Sequence, residues 1–416
     1  MAPATRPATA ADAVDGVQAE AVVEPTTLQE ASEVLRDATE QGRHVVCRGG
    51  GSKLGWGNPP AAVDVLVSTA RLDRVLEHAE GDLIVRAEAG VRLDALQEVL
   101  GKAEQFLALD PPEQGATVGG IVATGASGPL RHRYGTARDL LIGITVVLAD
   151  GTIARSGGKV VKNVAGYDLG KLFAGSLGTL GLIAEVTFRL HPRASSFTGA
   201  MLEVDRPDRA GQAAQVLAHA QLAPVALELA WPVRSGPGRL LLLVEGPRDG
   251  VTEQATDAAR LLEPFGSAEL IDAGKAHPAV DGLARRPWQA GEGGEPVVGA
   301  KATCVPTELP GAIEDLWAAA GAHGLDVSIR AHAGVGVTYA ALRGGDAGAL
   351  ATAFQEARER LARRGGTLVA LEAPLEFKRK IDVWGPVGDA EGLMRRVKER
   401  FDPGGTMSPG RFVGGI

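Results

Sequence analysis

The sequence predicts an α+β protein with more than one domain, and three observations support this. Up to about residue 195, short apolar runs typical of strands alternate with segments whose apolar residues recur at helical spacing. Beyond about residue 197, strands and helices follow in a repeated order that fits an antiparallel sheet covered on one face by helices. A chain of 416 residues is also too long for one ordinary hydrophobic core.

A capping-box pattern opens the first predicted helix. Thr27 is followed three residues later by Glu30, and apolar residues then repeat at helical spacing up to Gly42. The elements predicted after it are strands at 44–47, 63–68, 83–88, 106–109 and 182–190, helices at 71–78 and 92–100, and a β-hairpin at 140–156 with an Asp150-Gly151 turn.

Further elements are predicted towards the end of each region. Asp168 is in position to cap a helix with Leu169, Leu172 and Phe173 on its inner face. In the second region, the run at 326–342 predicts a strand with a break in the middle. A helix at 390–401 precedes the C-terminal motifs.

Composition excludes several classes of protein. A net charge of −8 without a basic stripe argues against nucleic-acid binding. Cys47 and Cys304 have neither the spacing of a zinc or iron–sulfur site nor the number for a disulfide framework, so we expect no metal site and a reducing compartment. Residues 1–24, rich in Ala and Pro, predict a disordered tail and not a signal peptide. No apolar run reaches the roughly 18 residues of a membrane span.

Two glycine-rich segments are the most informative part of the chain. The first, at 48–53, reads Arg-Gly-Gly-Gly-Ser-Lys, and the second, at 115–120, reads Gly-Ala-Thr-Val-Gly-Gly. Backbone without side chains can curl around an anion, and Thr117 is placed to cap a helix whose first N–H groups can bind phosphate. Neither segment is a Walker A or Rossmann motif. We predict that the two segments converge in space on a pyrophosphate.

The residues between Gly115 and Gly135 are mostly small. Gly, Ala, Ser and Thr allow backbone to lie directly against a planar ligand, whereas a flexible linker has a similar composition. The apolar residues Val118, Ile121 and Val122 favour a packed helix at the start of this segment. A segment facing a ligand is the interpretation we prefer.

Together these motifs resemble the FAD-binding domain of the vanillyl-alcohol-oxidase-type, or PCMH-type, flavoproteins, and in particular the FAD-binding subunits of bacterial glycolate oxidases. The resemblance is dense from about residue 25 to 195 and thinner beyond. Ser408 stands where the family usually has Asn. The motifs that carry it are the segments at 48–53, 115–120, 127–129, 134–135, 162–168, 175–181, 401–403 and 409–411.

This resemblance implies a domain organisation. Residues 25–195 would form a PCMH-type FAD-binding domain with two subdomains, and residues 196–385 an α+β cap domain with an antiparallel sheet. The C-terminal helix and tail at 386–416 would return to the FAD domain. Residues 1–24 would remain the disordered tail.

The resemblance also implies a set of cofactor-binding residues. Residues 48–53 would surround the FAD pyrophosphate, and residues 117–127 would approach the phosphates, the ribityl chain and the flavin. Relatives with covalent flavin carry a His after the glycine run, where this chain has Ser52 and Lys53, so non-covalent FAD is expected. The implied cofactor-binding residues are Arg48, Gly49, Gly50, Gly51, Ser52, Lys53, Pro111, Thr117, Gly119, Gly120, Ala123, Thr124, Ser127, Tyr134, Asp168, Gly181, Ile183 and Arg411.

Catalytic residues are less evident. Oxidation of a 2-hydroxy acid needs a cation for the carboxylate and a base for the hydroxyl proton. Self-sufficient relatives carry His-x-Gly-Asp-Gly-Asn-x-His and Glu-His-Gly stretches, whereas this chain keeps only His332 and Glu372 at these places. With Arg330 they form the candidate catalytic set. The alternatives are a structural role for His332 and a surface ion pair for Arg330.

The resemblance implies an FAD-dependent oxidoreductase that is one subunit of a glycolate oxidase-type complex. A catalytic FAD subunit and an iron–sulfur subunit would be its partners, and electrons would pass to the iron–sulfur subunit. The complex would be cytoplasmic and would reach the inner face of the membrane only through partners. The alternatives are a self-contained FAD-dependent D-lactate or glycolate dehydrogenase and a scaffold that has lost its flavin.

Overall fold

The computed structural model describes residues 3–158, 168–271, 285–289 and 297–416 and divides the chain into two compact units. Unit 1 consists of Met1–Ser127, Gly135–Arg193 and Pro386–Ile416, and unit 2 of Gly128–Tyr134 and Ala194–Gly385. The C-terminal segment therefore belongs to the same unit as both glycine segments. The predicted motif at 162–167 lies outside the described residues.

Unit 1 contains a four-stranded sheet in the order β1-β2-β4-β3, a five-stranded sheet in the order β5-β6-β10-β8-β9, and the short pair β7 and β11. Its strands are β1 (Ala4–Pro7), β2 (Ala21–Glu24), β3 (Val45–Arg48), β4 (Val65–Ser68), β5 (Val75–Ala79), β6 (Ile84–Glu88), β7 (Gln105–Phe106), β8 (Leu141–Val147), β9 (Ile153–Gly157), β10 (Leu182–Arg189) and β11 (His191–Pro192). Its helices are α1 (Leu28–Glu40), α2 (Leu93–Gly101), α3 (Val118–Thr124), α5 (Ala137–Leu140), α6 (Gly170–Phe173) and α12 (Glu391–Phe401), while α4 (Arg131–Tyr134) belongs to unit 2.

In the four-stranded sheet of unit 1, side chains on the two faces of the central strands belong to two different hydrophobic cores. Val65 and Val67 of β4 point into a cluster with Leu35 of α1, whereas Leu66 between them packs with Val22 and other residues on the opposite face. Successive side chains of a strand point to opposite faces, so a continuous apolar strand covered on both sides is expected here.

Residues 3–24 are ordered, which corrects the expectation of a disordered tail at 1–24. Strand β1 pairs antiparallel with β2, and Val14 is buried. The buried carboxylate of Asp12 accepts hydrogen bonds from Arg6 and from Arg48 of the first glycine segment, which together lower the pKa of Asp12. Composition did not predict this order, because the segment is stabilised by strand pairing and by the contact with Arg48, which is distant in sequence.

Two local predictions in unit 1 are wrong. Residues 71–78 were expected to be helical, but β5 pairs there with β6 because cross-strand packing overrides helical spacing. Asp168 was expected to cap a helix, yet α6 begins after Leu169 and the Asp168 carboxylate lies 3.2 Å from Lys171 Nζ. Leu169 and Leu172 are exposed, and Phe173 is the buried member of the set.

The C-terminal segment is anchored by one buried carboxylate. Asp402, 2% exposed, accepts hydrogen bonds from the backbone N–H groups of Thr406 and Met407 at 3.0 and 2.7 Å. Lys398 of α12 donates to the same carboxylate and to the carbonyl oxygen of Thr179. These bonds hold the segment after Asp402 beside β3, where the N–H of Val45 donates to the carbonyl oxygen of Thr406 and the N–H of Ser408 donates to the carbonyl oxygen of Val45.

Unit 2 is an eight-stranded antiparallel sheet in the order β15-β12-β14-β13-β17-β18-β16-β19. Its strands are β12 (Ser196–Val204), β13 (Pro224–Trp231), β14 (Gly238–Gly246), β15 (Ala268–Ile271), β16 (Val297–Thr303), β17 (Asp326–His332), β18 (Val337–Arg343) and β19 (Thr367–Glu372). Its remaining helices are α7 (Pro207–His219), α8 (Arg248–Leu262), α9 (Leu309–Gly321), α10 (Ala347–Arg363) and α11 (Leu375–Lys378).

The two faces of this sheet differ in chemistry. One face packs against the long helices in a large apolar core that includes Leu229 of β13 and Ile329 of β17. The other face carries a smaller apolar cluster, against which Leu130 and Tyr134 of the α4 segment pack. The predicted break after β17 is confirmed at 333–336, where Gly336 has a φ of +65° and a Cβ would lie 1.9 Å from the carbonyl oxygen of Cys304.

Among the helices that the structure describes, none combines the length and apolar character needed to cross a lipid bilayer.

We expect Asp402→Asn to destabilise unit 1. The amide cannot accept hydrogen bonds on both of its terminal atoms, and it leaves the partly buried ammonium of Lys398 without its charge partner, at a cost of about 3 kcal/mol. Urea unfolding measures the change in the free energy of unfolding. Asp389→Asn, at an exposed carboxylate, is the matched control and should change it by less than about 0.5 kcal/mol. Equal stability of the two variants would contradict the anchoring role.

Candidate functional site: a glycine-lined cleft and a polar cluster

A cleft lies within unit 1. Strands β3, β4 and β6 and helix α3 place residues at its wall, because their ends meet there. The lining residues are Cys47, Arg48, Gly49, Gly50, Gly51, Ser52, Lys53, Leu54, Thr69, Ala89, Thr117, Gly119, Gly120, Ala123, Thr124, Leu177, Gly178, Gly181, Leu182, Ile183 and Arg411.

The two glycine segments touch each other at this cleft. A Cβ added to Gly49 would lie 2.2 Å from Thr117 Oγ1, and one added to Gly50 would lie 1.9 Å from the carbonyl oxygen of Gly115. Any larger residue would push the segments apart, so glycine is required by close approach. The convergence that the sequence predicts is therefore present, and backbone forms this part of the cleft wall.

Thr117 caps helix α3 as predicted. Its hydroxyl oxygen accepts a hydrogen bond from the backbone N–H of Gly120 at 3.3 Å. A Cβ on Gly119 would lie 2.5 Å from Cβ of Ala89, so the first turn of α3 rests directly on the residue that follows β6. The small residues at this point therefore let the start of the helix lie against the end of β6.

The cationic side chains of the cleft are tied to protein groups. Arg48 Nη1 donates to Asp12 at 2.8 Å, and Lys53 Nζ lies 3.2 Å from Ser52 Oγ. Arg411 is buried and donates to the carbonyl oxygens of Leu54 and Trp56, so it fixes the chain that follows the first glycine segment. Burial lowers the pKa of Arg411.

Cys47 stands at the end of the strand that enters the cleft. Burial raises the pKa of its thiol to about 12, so the thiol is protonated at neutral pH and does not supply a thiolate.

Most of the sequence-predicted cofactor residues line the cleft, and four do not. Pro111, Ser127, Tyr134 and Asp168 are not among its lining residues. The hydroxyl of Tyr134 donates to Glu245 of β14, within unit 2, and Asp168 pairs with Lys171. Sequence reasoning missed the lining residues Cys47, Leu54, Thr69, Ala89, Leu177, Gly178 and Leu182. Thr69 and Ala89 directly follow predicted strands, a position that would have indicated them.

A second group of polar residues lies on the sheet of unit 2, on the face opposite the long helices. Val327, Ile329 and Ala331 of β17 enter the helix-covered core, so Arg330 and His332 point to the other face. Glu228 of β13 lies directly opposite His332 in the antiparallel register. Both Glu228 carboxylate oxygens are 2.8 Å from His332 Nδ1.

Glu228 is the functional candidate that the sequence did not reveal. It is 2% exposed and His332 4%, so both groups have lost most of their hydration. This burial raises the pKa of Glu228 well above its usual value, while Arg330, Arg131 and Arg286 act in the opposite direction. A charged residue in an apolar strand, Leu-Glu-Leu, was the available indication.

The structure does not bring Glu372 to Arg330 and His332, which corrects the expected catalytic set. β19 is separated from β17 by β18 and β16, or roughly 14 Å at the usual strand spacing. Glu372 is exposed, and it lies opposite Gly299 of β16. Among the residues that the structure describes, no three His, Cys, Asp or Glu side chains converge as a metal-binding group.

Family comparisons agree with the geometry. Residues 19–157 match the FAD binding domain family, and residues 194–370 match the C-terminal domain of FAD linked oxidases. The first match contains both glycine segments, and the second contains Glu228, Arg330 and His332.

Curated relatives include dehydrogenases and oxidase subunits. A D-lactate dehydrogenase of Archaeoglobus fulgidus is 28% identical over 94% of this chain and 91% of its own length. Glycolate oxidase subunit GlcD of Bacillus subtilis is 32% identical over 61% of this chain and 53% of its own length. Glycolate oxidase subunit GlcE of Escherichia coli is 33% identical over 48% of this chain and 54% of its own length.

Solved structures share the fold at low sequence identity. p-Cresol methylhydroxylase superposes with a TM-score of 0.76 at 15% identity, covering 95% of this chain and 89% of the enzyme. Alkyldihydroxyacetonephosphate synthase superposes with a TM-score of 0.74 at 17% identity, covering 94% of this chain and 76% of the synthase. With its glycine-lined cleft and both matching domains, the chain belongs to the FAD-linked oxidases with a PCMH-type FAD-binding domain and is an FAD-dependent oxidoreductase.

Proposed function

We propose that this chain is an FAD-binding subunit of a glycolate oxidase-type 2-hydroxy-acid dehydrogenase. The FAD is bound without a covalent bond, and electrons pass to an iron–sulfur partner subunit. The single observation that carries the proposal is the contact of the two glycine segments at the cleft, where Gly50 lies against the carbonyl oxygen of Gly115.

The residues of the cleft fit FAD. Gly49, Gly50 and Gly51 line the cleft and carry no side chains, so their backbone N–H groups suit a pyrophosphate. Ala123 and Ile183 give small and apolar surface for the less polar parts of the cofactor. When bound, FAD supplies the electron acceptor for oxidation of an alcohol.

Non-covalent binding is supported by the side chains near the first glycine segment. Ser52 and Lys53 occupy the positions after the glycines, and the nearby Cys47 thiol remains protonated. None of these groups is an activated nucleophile under ordinary conditions.

A role as one subunit is supported by two observations. Glycolate oxidase subunits are among the relatives, and the chain has only two cysteines, too few for an iron–sulfur cluster. A catalytic FAD subunit and an iron–sulfur subunit are therefore the proposed partners.

The second candidate is a self-contained FAD-dependent dehydrogenase for D-lactate or glycolate. The full-length similarity to a D-lactate dehydrogenase favours it, as does the Glu228–His332 pair beside Arg330. A cation and an imidazole together match the requirements of a 2-hydroxy acid.

The proposal includes a cytoplasmic location, with contact to the inner face of the membrane only through partner subunits. The reduced cysteines Cys47 and Cys304 support it. Cell fractionation with antibodies against the chain tests it, and recovery from an extracytoplasmic fraction would exclude it.

We expect Gly50→Ala to weaken FAD binding at least about tenfold. The new methyl group would overlap the carbonyl oxygen of Gly115, so the two segments must separate. The FAD dissociation constant, measured by flavin fluorescence, tests this effect. Gly81→Ala in the same unit, where a Cβ meets no atom within 4 Å, is the control. Unchanged affinity in Gly50→Ala, with a normal circular dichroism spectrum, would refute this use of the cleft.

We expect the purified chain to be yellow but to oxidise glycolate negligibly when its partners are absent. Anaerobic mixing with glycolate or D-lactate, followed by absorbance at the flavin bands, separates the candidates. A flavin that stays oxidised supports the subunit, and rapid bleaching supports the self-contained dehydrogenase.

Co-purification of the tagged chain from its native cells should recover a flavoprotein and an iron–sulfur protein. A colourless chain that also fails to bind added FAD would remove both candidates.

A further inference from the structure

A buried carboxylate joins the N-terminal segment of the chain to the cleft. Asp12 ends one turn of 3-10 helix, Ala10–Asp12, and its carboxylate accepts two hydrogen bonds from the Arg6 guanidinium, both at 2.8 Å. Thr9 donates to the same carboxylate through its backbone N–H and its hydroxyl, both at 2.9 Å. Arg48, which lines the cleft, donates to it through Nη1 at 2.8 Å. Arg6 and Asp12 themselves are not among the lining residues.

The contact with Asp12 leaves most of the Arg48 guanidinium available for a ligand. Only Nη1 donates to the carboxylate, and in the part of the chain that the structure describes Nε and Nη2 make no hydrogen bond. The Arg48 side chain is 19% exposed, so it is partly desolvated but still accessible. A guanidinium in this state suits a phosphate group, which can accept parallel hydrogen bonds from it.

Packing by the first glycine segment restricts the aliphatic part of the same side chain. Arg48 is the last residue of β3, and the chain then turns back at Gly51, which has a φ of +77°. A Cβ added to Gly51 would lie 3.7 Å from Arg48 Cδ. Gly51 and Asp12 therefore hold the side chain near its middle and at its end. An arginine that is fixed before its ligand arrives loses less conformational freedom on binding.

The charges of this cluster determine what the cleft offers to an anion. The hydrogen bonds from Arg6 and Thr9 lower the pKa of Asp12, so its carboxylate is ionised at neutral pH. A carboxylate paired with Arg48 alone would cancel its charge and compete with a phosphate for its donors. Arg6 prevents this, because it occupies both carboxylate oxygens and adds a second cation. Two guanidinium groups and one carboxylate leave the cluster with a net positive charge.

We propose that Arg6 and Asp12 are positioning residues of the FAD site, although neither lines the cleft. Asp12 holds the Arg48 guanidinium in place for the FAD diphosphate, and Arg6 keeps the cluster cationic. The pairing of β1 and the binding of FAD therefore stabilise each other. This inference rests on FAD binding in the cleft, which the proposed function shares, and not on the substrate or the partner subunits.

The test measures the dissociation constants of the full chain for FAD and for riboflavin, which has no phosphate, by flavin fluorescence. Asp12→Asn should weaken FAD binding about threefold, because the Arg48 side chain must then be ordered on binding. Arg6 is exposed and loses its anchor in this variant, so the net charge near the cleft changes little. The riboflavin constant should stay the same, because the effect acts on the diphosphate.

Arg6→Met tests the charge argument. It leaves Asp12 to neutralise Arg48 alone, so we expect FAD binding to weaken about tenfold and to depend less on salt concentration. Adding Asp12→Asn to this variant removes the competing carboxylate, so the double variant should bind FAD more tightly than Arg6→Met. Asp12→Asn therefore acts in opposite directions with and without Arg6, which a purely structural role does not produce.

Arg48→Met identifies the group through which both residues act. It should weaken FAD binding about 10- to 100-fold, and adding Asp12→Asn or Arg6→Met to it should have little further effect. The matched control is the ion pair of Glu20 and Arg43 in the same unit, neither of which is a lining residue. Glu20→Gln and Arg43→Met should leave the FAD constant unchanged.

Hydrogen exchange gives a second readout, measured at saturating FAD and therefore independent of affinity. The backbone amides of residues 4–12 should exchange more slowly with FAD than in the apoprotein, because cofactor binding and the pairing of β1 with β2 are linked. This added protection should be absent in Arg48→Met and present in Arg43→Met.

Two results would overturn the inference. One is wild-type FAD affinity in Asp12→Asn and Arg6→Met variants that are folded by circular dichroism. The other is an equally large effect of these changes in the Arg48→Met background, since Arg6 and Asp12 would then support only the fold. Both results leave FAD binding and the proposed function intact, whereas a wild-type chain that binds no FAD would remove the proposed function and this inference together.

Discussion

The contact between two glycine segments is the constraint on which unit 1 depends. Gly50 approaches the carbonyl oxygen of Gly115 so closely that any side chain would separate them. The contact brings the end of β3 to the start of α3, and the cleft opens where these elements meet. Two other contacts support the same arrangement: Arg411 fixes the chain after the first glycine segment, and Asp402 holds the C-terminal segment beside β3. Where the two segments touch, the close approach leaves peptide groups at the cleft wall.

The polar cluster of unit 2 differs from the cleft of unit 1, because it consists of buried ionisable side chains and not of exposed backbone. Placing Glu228 and His332 inside a sheet removes hydration from both, a loss that their short hydrogen bonds only partly offset. Apolar residues of the same size would serve folding as well or better. The pair next to the half-buried Arg330 therefore adds little to stability beyond what apolar residues would give, and perturbed ionisable groups of this kind are typical of functional sites.

Local sequence predicted those features that depend on interactions between residues close together in the chain. The Thr117 cap, the Asp150-Gly151 hairpin and the break after β17 depend on a few neighbouring residues, and each is present in the structure. It failed where a distant strand supplies the stabilisation. Residues 75–79 form β5 because β6 is their partner, and the N-terminal residues are ordered because β1 pairs with β2 and Arg48 reaches Asp12.

The sequence by itself determined the α+β class, the glycine segments and the resemblance to FAD-binding flavoproteins, because these reside in composition, spacing and motifs along the chain. Only the tertiary structure decided which residues face one another. Glu228 and His332 are 104 positions apart and become partners through strand register, while Glu372 is placed at the sheet edge by strand order. Register and strand order arise from packing the whole sheet, and no local pattern encodes them.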